Sequence, residues 1–530
     1  MKFNYSYVVY LMRDHLLLFI VLLIAFGIYA FIPLQLQSSE PYQYAAAIEQ
    51  YYRNSIGFSL AQGDYLPDFG RYHPNHPLGH VLAGWAYDWL RIPALTWMKF
   101  INTVAAFFLA VFFYLMLLRI RFSKVEAAVT VGSLLASYFG LFAVLSGEWH
   151  LPAMALCFAA FWEMIPYLER GEKKYLFRAS LWFAIGSCYH LSVFFYSIPL
   201  GLVLLFVRPL KDRWRELFTA AAMISLLLLV VYVAIPFYLF KFHSVQDFLR
   251  TFLIYKYITY MQYSGFDWVL IAARAIFHTV VFTPAQLNGT NFYVAFFFLM
   301  IAFGLWRYFR STVMLPVKAW ILLTHLFAFF GYWLLGARPD ALLGWLLLLP
   351  FICLVTVKAF ADLHRRAFIG IAAVIVLMLG WNLALAILPN SLSKRENIFY
   401  FKVPRQTPST TPVAFVISSL LFMEAEIWHA GSELGYRNQK HFMPCCGEND
   451  YYSRLRRWTR EHPGFILVAD GRHDVLENFL KAEGLRYKRW ADSQGNWPSS
   501  LIQNTLYFQH IAPKFFPRRL TIWVPEELLQ

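Results

Sequence analysis

Nine apolar runs, near residues 16–33, 95–118, 125–146, 150–168, 217–240, 291–309, 318–336, 341–357 and 367–388, are each long enough to cross the roughly 30 Å hydrocarbon core of a bilayer. No soluble core can bury that many. Composition agrees, since 59% of the 530 residues are hydrophobic and only 15% are charged, against about 25% charged in an ordinary globular domain. In lipid the backbone must satisfy its own hydrogen bonds, and runs of this length do so as helices. Residues 177–207 hold two shorter apolar segments that meet at Tyr189-His190. They read as a helical pair, 177–189 and 191–207, turning part-way through the membrane or near its outer face. The expected fold is an α-helical polytopic membrane protein of about eleven transmembrane helices. Five cysteines, two of them the neighbours Cys445 and Cys446, exclude a disulfide framework.

The formal net charge of +15 would suggest nucleic acid in a soluble protein; here it reports topology, and no nucleic-acid partner is expected. With the N-terminus in the cytoplasm, the short connections 1–15, 119–124, 169–178, 208–215, 307–318 and 358–366 all fall inside and carry 19 Lys and Arg residues. The outside connections carry 8 in many more residues. An odd number of spans then exports the polar tail. The first apolar run is too long for a typical signal-peptide core and no small-residue cleavage site follows it, so it reads as an uncleaved anchor.

Two domains are expected. Residues 1–388 form the transmembrane part, with outer interfacial loops at 34–94 and 241–290. The first loop contains amphipathic segments near 41–56 and 77–90, and the aromatic-rich second suits the headgroup belt. Residues 389–530 form a small exported C-terminal α/β domain, in which Gly464–Asp470, Leu520–Pro525 and Thr411–Ser418 read as strands and the segment after Gly471 as helix followed by strand.

Polar residues gather at one predicted level, the outer face. Glu40 follows the first span; Asp64, Asp68, Arg71, His73, His76 and His80 occupy the first loop; Glu148 and His150 sit in the turn between the third and fourth spans; His190 stands at the apex of the short helical pair; Arg338 and Asp340 lie between two late spans. Each has an ordinary explanation taken singly. Glu40 and Glu148 can cap helices, His76-Pro77 can be turn chemistry, Arg338 can snorkel, and His190 can be a satisfied core residue. Those explanations would all have to hold together on one face, and ionisable groups near membrane helices usually mark function. The spacing of His73, His76 and His80, interrupted by two prolines, is not a clean metal motif.

The pattern resembles the GT-C membrane glycosyltransferases, in particular the protein O-mannosyltransferase and aminoarabinose transferase group. Glu40 with Tyr42, Tyr44 and Ala45 matches an acidic segment after the first span; His76, Pro77 and Leu78 match a motif opening an interfacial helix; Glu148 matches an acid in the second outer loop; Arg338 opens a late span. The chain departs from that pattern in having Ser39-Glu40 where an Asp-Glu pair is frequent, and His190 where many members carry Lys or Arg.

The resemblance implies a polyprenyl-phosphate-linked sugar as donor, a glycan, lipid or protein hydroxyl as acceptor, and inverting transfer outside the cytoplasm, most naturally across a bacterial inner membrane with the tail in the periplasm. Such a reaction needs a carboxylate as general base and cations for the leaving phosphate. Glu40 takes the first role. Arg338 and His190, with Lys256 or Arg71, take the second, while His73 and His76 line the sugar site. Glu148 orients the acceptor or shares a divalent metal ion with Glu40; no other cofactor is implied. The alternative is a transporter or flippase of a lipid-linked glycan, which would spread polar residues through the depth of the bundle.

Overall fold

The computed structural model describes residues 15–32, 44–45, 48–49, 76–147, 149–190, 193, 214–240, 244, 246, 266–282, 290–311, 317–318, 321–323, 326, 348–360, 365–388, 411, 413–416, 456, 459–460, 463–470, 473–494 and 519–529. Helices follow the apolar runs: α1 Leu16–Phe31, α2 Pro77–Leu90, α3 Ala94–Arg119, α4 Lys124–Ala136, α5 Tyr138–Ser146, α6 His150–Arg170, α7 Lys173–Tyr189, α8 Trp214–Leu229, α9 Ile235–Phe240, α10 Phe266–Val280, α11 Thr290–Arg310, α12 Leu349–Phe360 and α13 Arg365–Asn382. A π-helical turn, Val230–Ala234, joins α8 to α9, and another, Leu383–Ile387, extends α13. Among the described residues five helices are long and apolar enough to span a bilayer, or six if α4 and α5 count as one bent span. This is a polytopic helical membrane protein. Most of each of the expected helices at 41–56, 191–207 and 318–336 lies outside the described residues.

The chain divides into two compact units. One comprises Met1–Pro33, Pro74–Gly79 and Lys99–Ala386; the other comprises Leu34–His73, His80–Met98 and Ile387–Gln530. In the first unit, α5 is buried along its whole length and α6 along nearly all of it. By contrast α1, α8, α11 and α13 turn large apolar side chains outward, with Phe31 87%, Phe218 76%, Leu299 68% and Leu377 72% exposed. Apolar faces of that extent are untenable in water and ordinary against acyl chains.

The expected cytoplasmic helix ends are tied by ionic contacts. Ser123 and Glu126 form a reciprocal capping box at the start of α4, the Ser123 N–H donating to Glu126 at 2.6 Å and the Glu126 N–H to the Ser123 hydroxyl at 3.2 Å. The same carboxylate lies 3.6 Å from Lys358 of α12, so one acid both caps a helix and neutralises a mostly buried cation. The Arg119 guanidinium stacks 4.1 Å over Trp162 and donates to that residue's carbonyl. Where α11 crosses α12, a Cβ on Gly304 would collide with the Val355 carbonyl, the close backbone approach that small residues allow between membrane helices.

One span differs from its expected form. Residues 125–146 are uniformly apolar, yet the helix breaks at Ser137 and α5 leaves α4 at 60°. Ser137 adopts extended angles (φ −62°, ψ 151°), and its hydroxyl accepts the Gly140 N–H at 3.0 Å, a bond that would otherwise run to the Ala136 carbonyl. The freed carbonyl is taken up by Asn382, whose Nδ2 donates to Ala136 O at 3.0 Å and to Val280 O at 3.1 Å while its Oδ1 accepts the Phe282 N–H at 2.8 Å. Trp381 adds a bond from its Nε1 to the Phe282 carbonyl at 2.9 Å. The fully buried Asn382 thus satisfies backbone groups released at two helix ends, as lipid requires.

In the second unit, Glu49 accepts the Ala94 N–H at 2.7 Å, a carboxylate cap on the first turn of α3, and Tyr44 meets His80 edge-on with ring centroids 4.8 Å apart. The tail contains β1 Val413–Val416, β2 Ile466–Asp470, α14 His473–Ala482, β3 Tyr487–Gln494 and β4 Arg519–Pro525. The strands lie in the order β1-β2-β4-β3, with only β1 and β2 parallel. Leu476, Phe479 and Leu480 of α14 pack on Phe465, Leu467, Ala469 and Trp523. Tyr487 donates to the Phe465 carbonyl at 2.8 Å, and burial pushes its phenol well above the ordinary tyrosine value.

Candidate functional site

Three helix ends in the first unit carry a histidine each. Pro77, with its fixed φ and no N–H, suits the first position of α2, which leaves His76 immediately before the helix. At the next, α5 stops at Gly147, whose φ of +78° closes the helix in the left-handed region. Trp149 then stands at the N-cap position of α6, and His150 is the first residue of that helix. At the third, α7 ends at Tyr189, and His190 leaves in extended conformation (φ −157°, ψ 121°) with its N–H still bonded to the Gly186 carbonyl at 3.0 Å.

These ends converge. The rings of His150 and His190 lie 3.6 Å apart between centroids, tilted by 35°; His76 stands 4.6 Å from His190 and 6.2 Å from His150. All three are buried, at 4%, 5% and 5% exposure for His76, His150 and His190. Two glycines make the approach feasible. A Cβ on Gly186 would come within 3.1 Å of the Ala153 carbonyl, and one on Gly79 would press 2.5–2.9 Å into the Trp149 indole. The first lets α7 lie close along α6, and the second seats the buried Trp149 against the opening turn of α2. Behind His190, the Tyr232 hydroxyl donates to the Ser187 carbonyl from the π-helical turn, a helix irregularity frequent at functional sites.

The arrangement suits a negatively charged group. The N-terminal ends of α2 and α6, the positive ends of their dipoles, meet at this cluster of imidazoles. Among the described residues no group of three or more His, Cys, Asp or Glu side chains has a geometry that would hold a metal ion.

Of the residues expected from sequence, the structure brings together His76, His150 and His190, of which His150 had no role assigned from sequence. Glu40, Arg71, His73, Glu148, Lys256 and Arg338 lie outside the described residues, as do Asp64, Asp68 and Asp340. Sequence reasoning gave no role to Trp149, Gly79 or Gly186, although Trp149 stands inside the singled-out Glu148–His150 turn.

The helical architecture is that of the GT-C fold. Among solved structures, the chain is similar to ArnT from Cupriavidus metallidurans bound to undecaprenyl phosphate, with a TM-score of 0.60 and 13% identity over 99% of each chain. It is also similar to the same protein in the apo state, with a TM-score of 0.58 and 13% identity over 97% of this chain and 98% of that one. AglB, the oligosaccharyltransferase of Archaeoglobus fulgidus, in complex with an inhibitory peptide and a dolichol-phosphate, aligns at a TM-score of 0.52 and 13% identity, over 93% of this chain and 77% of that one. No protein-family profile matches the chain, and no curated protein sequence does.

Proposed function

We propose that this protein is an integral-membrane glycosyltransferase that moves a sugar, with inversion, from a polyprenyl-phosphate donor to an acceptor hydroxyl on the periplasmic side of a bacterial inner membrane. The observation that carries the reading is the correspondence over 99% of both chains with a fold captured holding undecaprenyl phosphate. The convergence of the N-terminal ends of α2 and α6 on His76 and His190 supports it, because that is where an anionic headgroup would be received.

The reaction then runs as follows. The acceptor hydroxyl attacks the anomeric carbon, its proton passes to Glu40, and the sugar–phosphate bond breaks with its electron pair leaving on the phosphate oxygen. That oxygen gains charge, so cations aimed at it lower the barrier. Arg338 ranks first for this task, since a guanidinium is always charged and binds phosphate bidentately; His190 follows as a hydrogen-bond donor or imidazolium, with Lys256 and Arg71 as further cations. Glu148 orients the acceptor or shares a divalent ion with Glu40, and His73 and His76 line the sugar. The tail serves as an acceptor-binding or structural module.

Two experiments bear on this reading. Reporter fusions after Arg215 and at Gln530 are expected in opposite compartments, the first cytoplasmic and the second periplasmic; finding both on one side would separate Glu40 and the tail from the donor's face. Arg338→Ala is expected to raise the KM for a polyprenyl-phosphate sugar about tenfold or more, the loss of roughly 1.5–3 kcal/mol typical of a charged hydrogen bond, with thermal stability preserved. An unchanged KM below donor saturation would reduce Arg338 to a snorkelling residue.

A further inference from the structure

We infer that His150 is a positioning residue, whose imidazole, packed against His190, holds that ring in the orientation from which it meets the donor phosphate. The inference deepens the proposed function and rests on it. His190 follows the last turn of α7 in extended backbone. Its ring meets that of His76 at 4.6 Å and that of His150 at 3.6 Å between centroids. The closer partner comes from the first residue of α6, a helix that is buried for nearly all its length and that Gly186 allows to lie against α7 at the Ala153 carbonyl. The His150 ring therefore starts from a well-buried helix, and its separation from His190 is shorter than the 4.5–7 Å usual for aromatic pairs. The same arrangement explains how a histidine can stand where related patterns carry Lys or Arg. A short side chain cannot reach for a phosphate, so it has to be held facing it.

Two roles for His150 are distinguished by substitution. A positioning ring acts through its face, which phenylalanine keeps; a direct ligand acts through its nitrogens, which phenylalanine lacks. In the purified full-length chain, His150→Ala is expected to raise the KM for a polyprenyl-phosphate sugar about threefold to tenfold, the range of a lost aromatic pair, with kcat within about twofold. His150→Phe is expected to restore KM to within about twofold. His150→Ala on a His190→Ala background is expected to add nothing, because the ring it positions is gone. A Phe variant as impaired as Ala, or effects of the two alanine substitutions that multiply, would overturn the inference. A readout without turnover separates this from the function itself: the rate at which diethyl pyrocarbonate modifies His190, followed by peptide mass spectrometry. That rate should rise severalfold in His150→Ala and return in His150→Phe whether or not the chain transfers sugar. An unchanged rate in His150→Ala would contradict the positioning role directly.

Discussion

Glu40→Gln is expected to reduce turnover by about 10²–10⁴-fold while donor binding persists, because glutamine keeps the shape of the side chain but cannot accept the acceptor's proton. The competing explanation of Glu40, a cap on the segment that begins at Pro41, makes a different forecast. Glutamine caps less well than a carboxylate, so stability would fall slightly and turnover would survive. Measuring kcat and thermal midpoint on the same purified variant separates the two. Near-normal turnover would transfer the base role to Glu148, the other acid that matches the GT-C pattern.

The second large effect is structural. Asn382→Leu removes an amide that serves the Ala136 and Val280 carbonyls and the Phe282 N–H, and leucine fills its volume without replacing any of the three bonds. Each backbone group left unpaired in an apolar interior costs about 1–3 kcal/mol, less where lipid-embedded neighbours re-form partners. A loss of about 2–5 kcal/mol is therefore expected. Thermal unfolding can be followed by labelling of the buried thiols Cys157 and Cys353, read by peptide mass spectrometry. A midpoint within about 2 °C of the parent would mean that the bend at Ser137 does not depend on Asn382.

What the sequence made legible follows from which signals are local. Apolar runs announce spans, and α3, α6, α11 and α13 lie where those runs are. In the tail, Gly464–Asp470 and Leu520–Pro525 read as strands and the residues after Gly471 as helix then strand, and β2, β4, α14 and β3 lie there. The break in 125–146 was not legible. Its cause is one hydroxyl competing for one N–H, which hydropathy does not register, and its remedy is an amide some 240 residues away. A signal for that remedy existed, since Asn382 stands alone in a long apolar run, where a polar side chain must have a partner. At the candidate site the sequence placed His76, His150 and His190 at one level because each follows or precedes a span. It could not foresee that the rings of His150 and His190 would meet, since that depends on how closely α6 and α7 approach at Gly186.

The central claim is that a sugar–phosphate bond is broken. In proteoliposomes holding the purified chain, a polyprenyl-phosphate-linked sugar and a cell-envelope extract as acceptor, mass spectrometry can follow the release of free polyprenyl phosphate alongside glycosylated product. The account predicts that both appear together in equal amounts and that both are abolished in Glu40→Gln. Recovery of the sugar-lipid intact, moved from one leaflet to the other with no polyprenyl phosphate released, would contradict it and identify a flippase.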